Sequence, residues 1–383
     1  MSEVKRILFV IEDLKPGGVE VSLVNLLNLL DFETHKFKVT VIMWGNHYEN
    51  IGLLRRNERI KIKIVRPRIV KLLYPVISKL IGTQKAEFFK NVFTRIAVIN
   101  AVKWERADVI IRYHQAAIKT LFTHIRGKTK KIAWYHSSKF NDYYLNEKYT
   151  EHCDRVVVVN DSCKEVIAAA APYLADKLCV VSNIIPAADV VKRSKETAED
   201  LLLDDAFNIV TCGRLDPEKG IDSAIKAAKI LKNKIPNMRW YIIGDAAEDR
   251  LEYAESLKEM VKNEGIERTF IFAGQKSNPY PYFRNCDLYV QPSREESWCL
   301  TIAEAQICGA AVVSTDTIGA RYLIERGNTG LITQCDENKI ADTIYLLYEN
   351  RDLLRHLREN TEKIDFDKMN NVAVESFYNL VGV

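Results

Sequence analysis

Glu296 and Glu304 stand eight residues apart in the segment PSREESWCLTIAEA, and upstream of them Arg214 and Lys219 flank an Asp-Pro turn in GRLDPEKG. Carboxylates accept hydrogen bonds from sugar hydroxyls. A forked guanidinium and a compact ammonium on one turn suit a diphosphate whose charge grows as a bond breaks. Glu296 is expected in the turn after a strand at Leu288–Gln291, and Glu304 in the helix that follows. That helix would present its first amides, near Leu300 and Thr301, to phosphate. Pro16-Gly17-Gly18 follows the first strand and opens a helix near Val19; its amides also favour an anion, although the GxGxxG spacing is missing. His136 in IAWYHSS and His114 in RYHQAA compete as the histidine that faces a ligand. Taken singly, each feature has a plainer account: a solvated helix face, a surface turn, a tight turn, a satisfied structural histidine.

Positioning such groups requires strands that deliver loops to one edge. Short β-rich apolar runs alternate with helical patterns throughout, the signature of parallel sheets built from βαβ units. In the first half, strands are expected at 6–11, 38–43, 61–65, 109–112, 131–134, 155–159 and 178–181, with helices at 19–30 and 118–125. The polar, alanine-rich stretch 186–205 separates a second series, with strands at 207–212, 239–243, 270–272, 288–291 and 311–314 and helices at 221–231 and 250–262. The length of 383 residues also favours two domains. Two doubly wound domains would face a central cleft at the carboxyl ends of their strands, where ligands of such sheets bind.

PSREESWCLTIAEAQICGAAVVST and GRLDPEKG together resemble the paired-glutamate and arginine-lysine segments of the GT4 family of retaining glycosyltransferases. The likeness spans most of the chain and is strongest over 207–332. It implies an α/β GT-B fold of two Rossmann-like domains: an acceptor-binding domain over 1–185, a nucleotide-sugar-binding domain over 186–366, and a helix over 367–383 crossing back to the first. It further implies that Glu304 binds the ribose hydroxyls and Glu296 the transferred sugar. Arg214 and Lys219 would neutralise the diphosphate, with amides of Leu300 and Thr301 beside it. Gly17 and Gly18 match the glycine loop near the donor phosphates, and His136 the histidine facing the donor sugar. Gly213, Gly244, Gly274 and Gln275 complete the implied donor-binding set.

The implied reaction is metal-independent transfer of a hexose with retention, to a glycan or polyprenyl-linked acceptor in cell-surface polysaccharide assembly. No cofactor is implied beyond the nucleotide-sugar substrate, a uridine diphosphate hexose being the commoner choice and guanosine diphosphate mannose the next. A nucleotide-sugar epimerase of the same architecture and a non-catalytic partner subunit are the competing classes. Several positions depart from the family: Ser297 and Cys299 replace small residues, Ala311 a proline, Ala246 a glycine, and Asn183-Ile184-Ile185 an Asn-Gly-Val stretch. The one DxD string, Asp365-Phe366-Asp367, is read as incidental.

Eight cysteines without CxxC or zinc spacing are expected to be buried free thiols in a reducing cytoplasm, with no metal site. The apolar start RILFVIE is too short for a signal segment, and no uncharged apolar run is long enough to span a bilayer. Charge is asymmetric: 30 basic against 18 acidic residues up to 185, and 25 against 33 after it. Within 54–106 the ratio is fourteen to three, and IVKLLYPVISKLI interleaves lysines with large apolar residues, as an anionic membrane surface would demand. This points to a cytoplasmic protein, peripheral on the inner face of the cell membrane. No nucleic-acid module accompanies the charge.

Overall fold

Parallel sheets covered by helices bury both faces of their strands, and the apolar runs comply: no position of Val109–Arg112, Leu288–Gln291 or Ala311–Thr315 is exposed. The computed structural model describes residues 4–114, 118–197 and 205–383. The chain divides into two units, residues 1–184 with 370–383, and residues 185–369.

The first unit begins β1 (Lys5–Val10), α1 (Gly18–Leu29), β2 (Phe37–Met43), β3 (Ile60–Ile64), α2 (Arg68–Ile81) and α3 (Thr83–Glu105). It continues β4 (Val109–Arg112), β5 (Lys130–Trp134), α4 (Asp142–Leu145), α5 (Glu147–Thr150), β6 (Arg155–Val158), α6 (Asp161–Ala170) and β7 (Leu178–Val180). Its seven strands, ordered β3-β2-β1-β4-β5-β6-β7, are all parallel. The order reverses between β1 and β4, so the loops after these strands diverge and leave room at the switch point.

The second unit runs α7 (Ala187–Ser194), β8 (Phe207–Cys212), α8 (Ile221–Leu231), β9 (Met238–Ile243), α9 (Leu251–Asn263), β10 (Phe270–Gly274), α10 (Tyr280–Asn285) and β11 (Leu288–Gln291). After these come α11 (Leu300–Ile307), β12 (Ala311–Thr315), α12 (Ile318–Leu323), β13 (Leu331–Thr333), α13 (Glu337–Glu349), α14 (Arg351–Thr361) and α15 (Phe366–Val381). Six parallel strands are ordered β10-β9-β8-β11-β12-β13, with the switch between β8 and β11. A core of Ile209, Trp240, Ile242, Phe270 and Val290 lies beneath them.

The end of α15 belongs to the first unit. Phe377 stacks on Phe9 with ring centroids 6.1 Å apart, and the Tyr378 hydroxyl accepts the Asp31 amide at 2.6 Å. Asp365 of the DxD string caps this helix, its Oδ1 accepting the Lys368 amide at 2.8 Å.

One expectation needs correction. The stretch 118–125 forms only a 3-10 turn, Leu121–His124, where the Thr123 hydroxyl donates back to the Thr120 carbonyl at 2.8 Å and so competes with helix propagation. The segment 186–205, read as a separating stretch of little β character, contains the helix α7 and no strand among its described residues; residues 198–204 lie outside the described ones. The remaining expected strand ends fall within two residues of those observed. Seven of the eight cysteines are buried or partly buried, whereas Cys335 is exposed.

Candidate active site

Both charged motifs arrive at the switch point of the second unit. The loop after β8 carries Arg214 and Lys219, and the loop after β11 carries Glu296. Two contacts latch them together. Arg294 grips Asp222 at 2.8 and 2.6 Å, and its amide donates to the Glu218 carbonyl at 2.8 Å. Gly220, at φ +65°, leaves no room for a side chain, because a Cβ there would collide with the Pro292 carbonyl.

Within this frame the Lys219 ammonium donates to Glu296 Oε1 at 2.7 Å, with only 20% and 10% of the two side chains exposed. Burial alone would lower the Lys219 pKa, but the adjacent Glu296 turns the net shift upward, so the ammonium stays charged. Glu296 also accepts from Ser293 Oγ at 2.8 Å and from Gln291 Nε2 at 3.4 Å. Gln291 is fixed in orientation: its Oε1 accepts from the hydroxyls of Tyr289 at 2.6 Å and Thr301 at 3.2 Å, and its Nε2 donates to Ser293 at 2.8 Å. One hydrogen-bonded chain therefore links Lys219 to the first turn of α11. Arg214 is exposed, and among the described residues nothing pairs with its guanidinium.

α11 starts without a cap. Cys299 precedes it at φ +65°, makes no side-chain cap, and leaves the Leu300 and Thr301 amides without an acceptor among the described residues. Such a start concentrates positive potential where an anion would rest. Left-handed backbone at a residue with a Cβ is strained. Cys299→Gly is accordingly expected to be more stable than Cys299→Ala by about 1 kcal/mol in chemical denaturation, both variants lacking the thiol. Equal stabilities would show that the loop relaxes instead.

Glu304 lies one turn into α11 and is buried. Its Oε1 accepts the Tyr280 hydroxyl at 3.1 Å, and the Arg193 guanidinium lies 4.9 Å from the Tyr280 ring centroid. Burial pushes the Glu304 carboxyl up to about 7, against the opposing pull of Tyr280 and Arg193. Cys212, at the end of β8, feels both Glu304 and Lys219, which places the two groups around one strand end. Gly244, at φ +142°, packs so closely that a Cβ would collide with the Gly213 carbonyl, while Gly213 lies along the Lys219 stem. Gly274 ends β10 and Gln275 follows it at the sheet edge, two strands away from β8.

The first unit holds the other expected residues. Gly17 caps α1 in extended backbone, but a Cβ on it would collide with the buried Glu20 carboxylate; this helix start, which includes Gly18, is thus already faced by a negative group. His136 is buried, its ring stacked on Trp134, and its Nε2 donates to the Tyr113 carbonyl at 3.0 Å. Burial, with His114 nearby, lowers its pKa to about 3, so the imidazole is neutral. This is the geometry of a satisfied histidine, whatever ligand it faces, and His114 is its neighbour rather than a distant rival.

Sequence reasoning missed Arg193, Tyr280, Tyr289, Gln291 and Ser293. Only Gln291 carried a signal, as an amide ending an otherwise apolar strand.

A family model described as glycosyl transferases group 1 matches residues 192–364. A lipopolysaccharide core biosynthesis mannosyltransferase, LpsB of Rhizobium meliloti, is 33% identical over 147 residues, 38% of this chain and 42% of LpsB. The capsular polysaccharide biosynthesis glycosyltransferase CapM of Staphylococcus aureus is 26% identical over 254 residues, 63% of this chain and 66% of CapM. The matched stretches thus span less than two thirds of either relative. The crystal structure of Anabaena Alr3699/HepE in complex with UDP and glucose superposes with a TM-score of 0.76 at 18% identity, covering 97% of this chain and 98% of that one. That likeness establishes the fold: two Rossmann-like domains of the GT-B type.

Proposed function

We propose, from the match of residues 192–364 to the group 1 glycosyl transferases, that the chain transfers a hexose from a uridine diphosphate sugar, with retention and without a metal ion, to a glycan or lipid-linked acceptor. The observation that carries the proposal is the continuous chain from Lys219 through Glu296 and Gln291 to Thr301, beside the unpaired Arg214 and the open amides of Leu300 and Thr301. Three positive sources converge where a diphosphate would leave, and buried carboxylates flank them. LpsB and CapM are named for polysaccharide biosynthesis, and HepE is titled with UDP and glucose, which supports the choice of donor and acceptor class.

In the proposed mechanism Glu304 takes the ribose hydroxyls and Glu296 the sugar hydroxyls. Lys219, Arg214 and the two amides stabilise the departing nucleoside diphosphate, so an oxocarbenium-like carbon is attacked from the face it leaves. Because these groups are positioned in advance, the rate comes from electrostatic preorganisation. His136, neutral in the first unit, neither gives nor takes a proton. The first unit is assigned the acceptor.

A panel of nucleotide-sugars screened by thermal shift, followed by hydrolysis assays in EDTA, tests this. The expected result is a uridine diphosphate hexose as the strongest stabiliser, slow release of free nucleoside diphosphate, and no loss of rate with chelator. Conversion to an epimeric sugar nucleotide, or no turnover of any donor, would overturn it.

A further inference from the structure

Helices α2 and α3 of the first unit expose apolar surface that no part of the described chain covers. In α2, Leu72, Val76 and Leu80 recur every fourth residue, one stripe of a helix, and are 72%, 54% and 76% exposed. The opposite side of α2, with Val70, Tyr74 and Ile77, packs on Phe89 and Phe93 of α3. Among the described positions of α2 none is buried, and α3 buries only Ala86, Val98, Ile99 and Val102. Phe88 and Trp104 of α3 stand 66% and 82% exposed. Soluble proteins rarely leave so many large apolar side chains of one helix pair uncovered without a partner.

Charge identifies the partner. Residues 68–106 carry eight basic and two acidic side chains. Both acids are already neutralised: Glu87 by Lys90 at 2.7 Å, and Glu105 by Lys63 at 2.8 Å. Lys79, Lys85 and Arg95 remain interleaved with the apolar residues. At the carboxyl end of α3 a cavity of about 430 Å³ is lined by Arg6, Lys103, Arg106, Arg126 and Lys128, with Asp108 its one carboxylate. Large apolar and aromatic groups beside lysines and arginines match the boundary between acyl chains and anionic headgroups.

We infer that the α2–α3 pair is a docking surface for an anionic lipid bilayer. The Leu72, Val76 and Leu80 stripe enters the acyl boundary, and the neighbouring cations meet headgroup phosphates. No helix among the described residues is long and apolar enough to cross the membrane, so attachment is peripheral and salt-sensitive.

Sedimentation of the full chain with phosphatidylglycerol or phosphatidylcholine vesicles tests this without requiring turnover. Binding is expected to phosphatidylglycerol only, and to weaken as salt rises. Leu72→Gln/Val76→Gln/Leu80→Gln should raise the apparent Kd about tenfold or more, because it removes three apolar groups from the boundary. Lys79→Gln/Lys85→Gln should flatten the salt dependence. Unchanged melting of both variants and unchanged donor hydrolysis would show that fold and site are intact. No binding to anionic vesicles, or wild-type binding by the triple variant, overturns the inference. So does concentration-dependent self-association that the triple variant abolishes without any vesicle binding, since the stripe would then be an interface between copies.

Discussion

Replacing Glu304 with glutamine is expected to weaken nucleotide-sugar binding about a hundredfold at pH 8, the loss of two charge-assisted hydrogen bonds, while making the free protein more stable. The opposite signs have one cause. Burial holds this carboxyl near 7 in the folded chain, above its ordinary value of 4.5. Between those values the folded state binds the extra proton, so stability falls as pH rises from 4.5 to 7 and is flat above. At pH 8 the ionised Glu304 costs the free protein on the order of 3 kcal/mol, which glutamine removes. Ribose hydroxyls donating to the carboxylate favour its charged form, so donor affinity should rise with pH through 7 and binding near pH 6.5 should release a proton. Calorimetry in buffers of different ionisation enthalpy, together with urea melts at pH 5 and pH 8, checks both halves. A variant as unstable as wild type at pH 8, with unchanged affinity, would remove Glu304 from the nucleotide site.

Lys219→Met is expected to cost about 3 kcal/mol of stability, because it leaves the nearly buried Glu296 without its cation. Donor hydrolysis should fall by roughly 10²–10³-fold with the loss of leaving-group stabilisation. Coupling it with Glu296→Gln separates the two effects. The double variant removes both charges and should recover most of the stability, since Ser293 and Gln291 can still bond the amide. Its hydrolysis should stay depressed. Recovery of turnover along with stability would mean that Lys219 serves only to neutralise Glu296.

Much of this was readable in the residues, for physical reasons. Parallel strands bury both faces, so Val109–Arg112, Phe207–Cys212 and Leu288–Gln291 announce themselves as apolar runs and were placed to the residue. Loops after such strands hold Lys219 and Glu296, and these two with Glu304 of α11 stood out by type and spacing. The three-residue edge strand β13 offered no period to detect. Apolar positions 118, 121, 122 and 125 mimic a helix face, yet their threonines bond locally. Arg193 and Tyr280 escaped notice because they meet Glu304 through the packing of α7 and α10, a tertiary coincidence no local motif encodes. The Gly17-Gly18 loop was read for its amides alone, and Glu20, three residues on, changes what those amides face.

The last helix has a consequence for synthesis. Phe377 and Tyr378 complete a core begun by Phe9 and Phe37, so the first unit needs side chains translated after the whole of the second. The second unit, residues 185–369, holds its own core and is fully translated before them. On the ribosome the first unit therefore closes after the second, and its unfinished sheet must wait, exposed to chaperones, until Phe377 and Tyr378 have emerged.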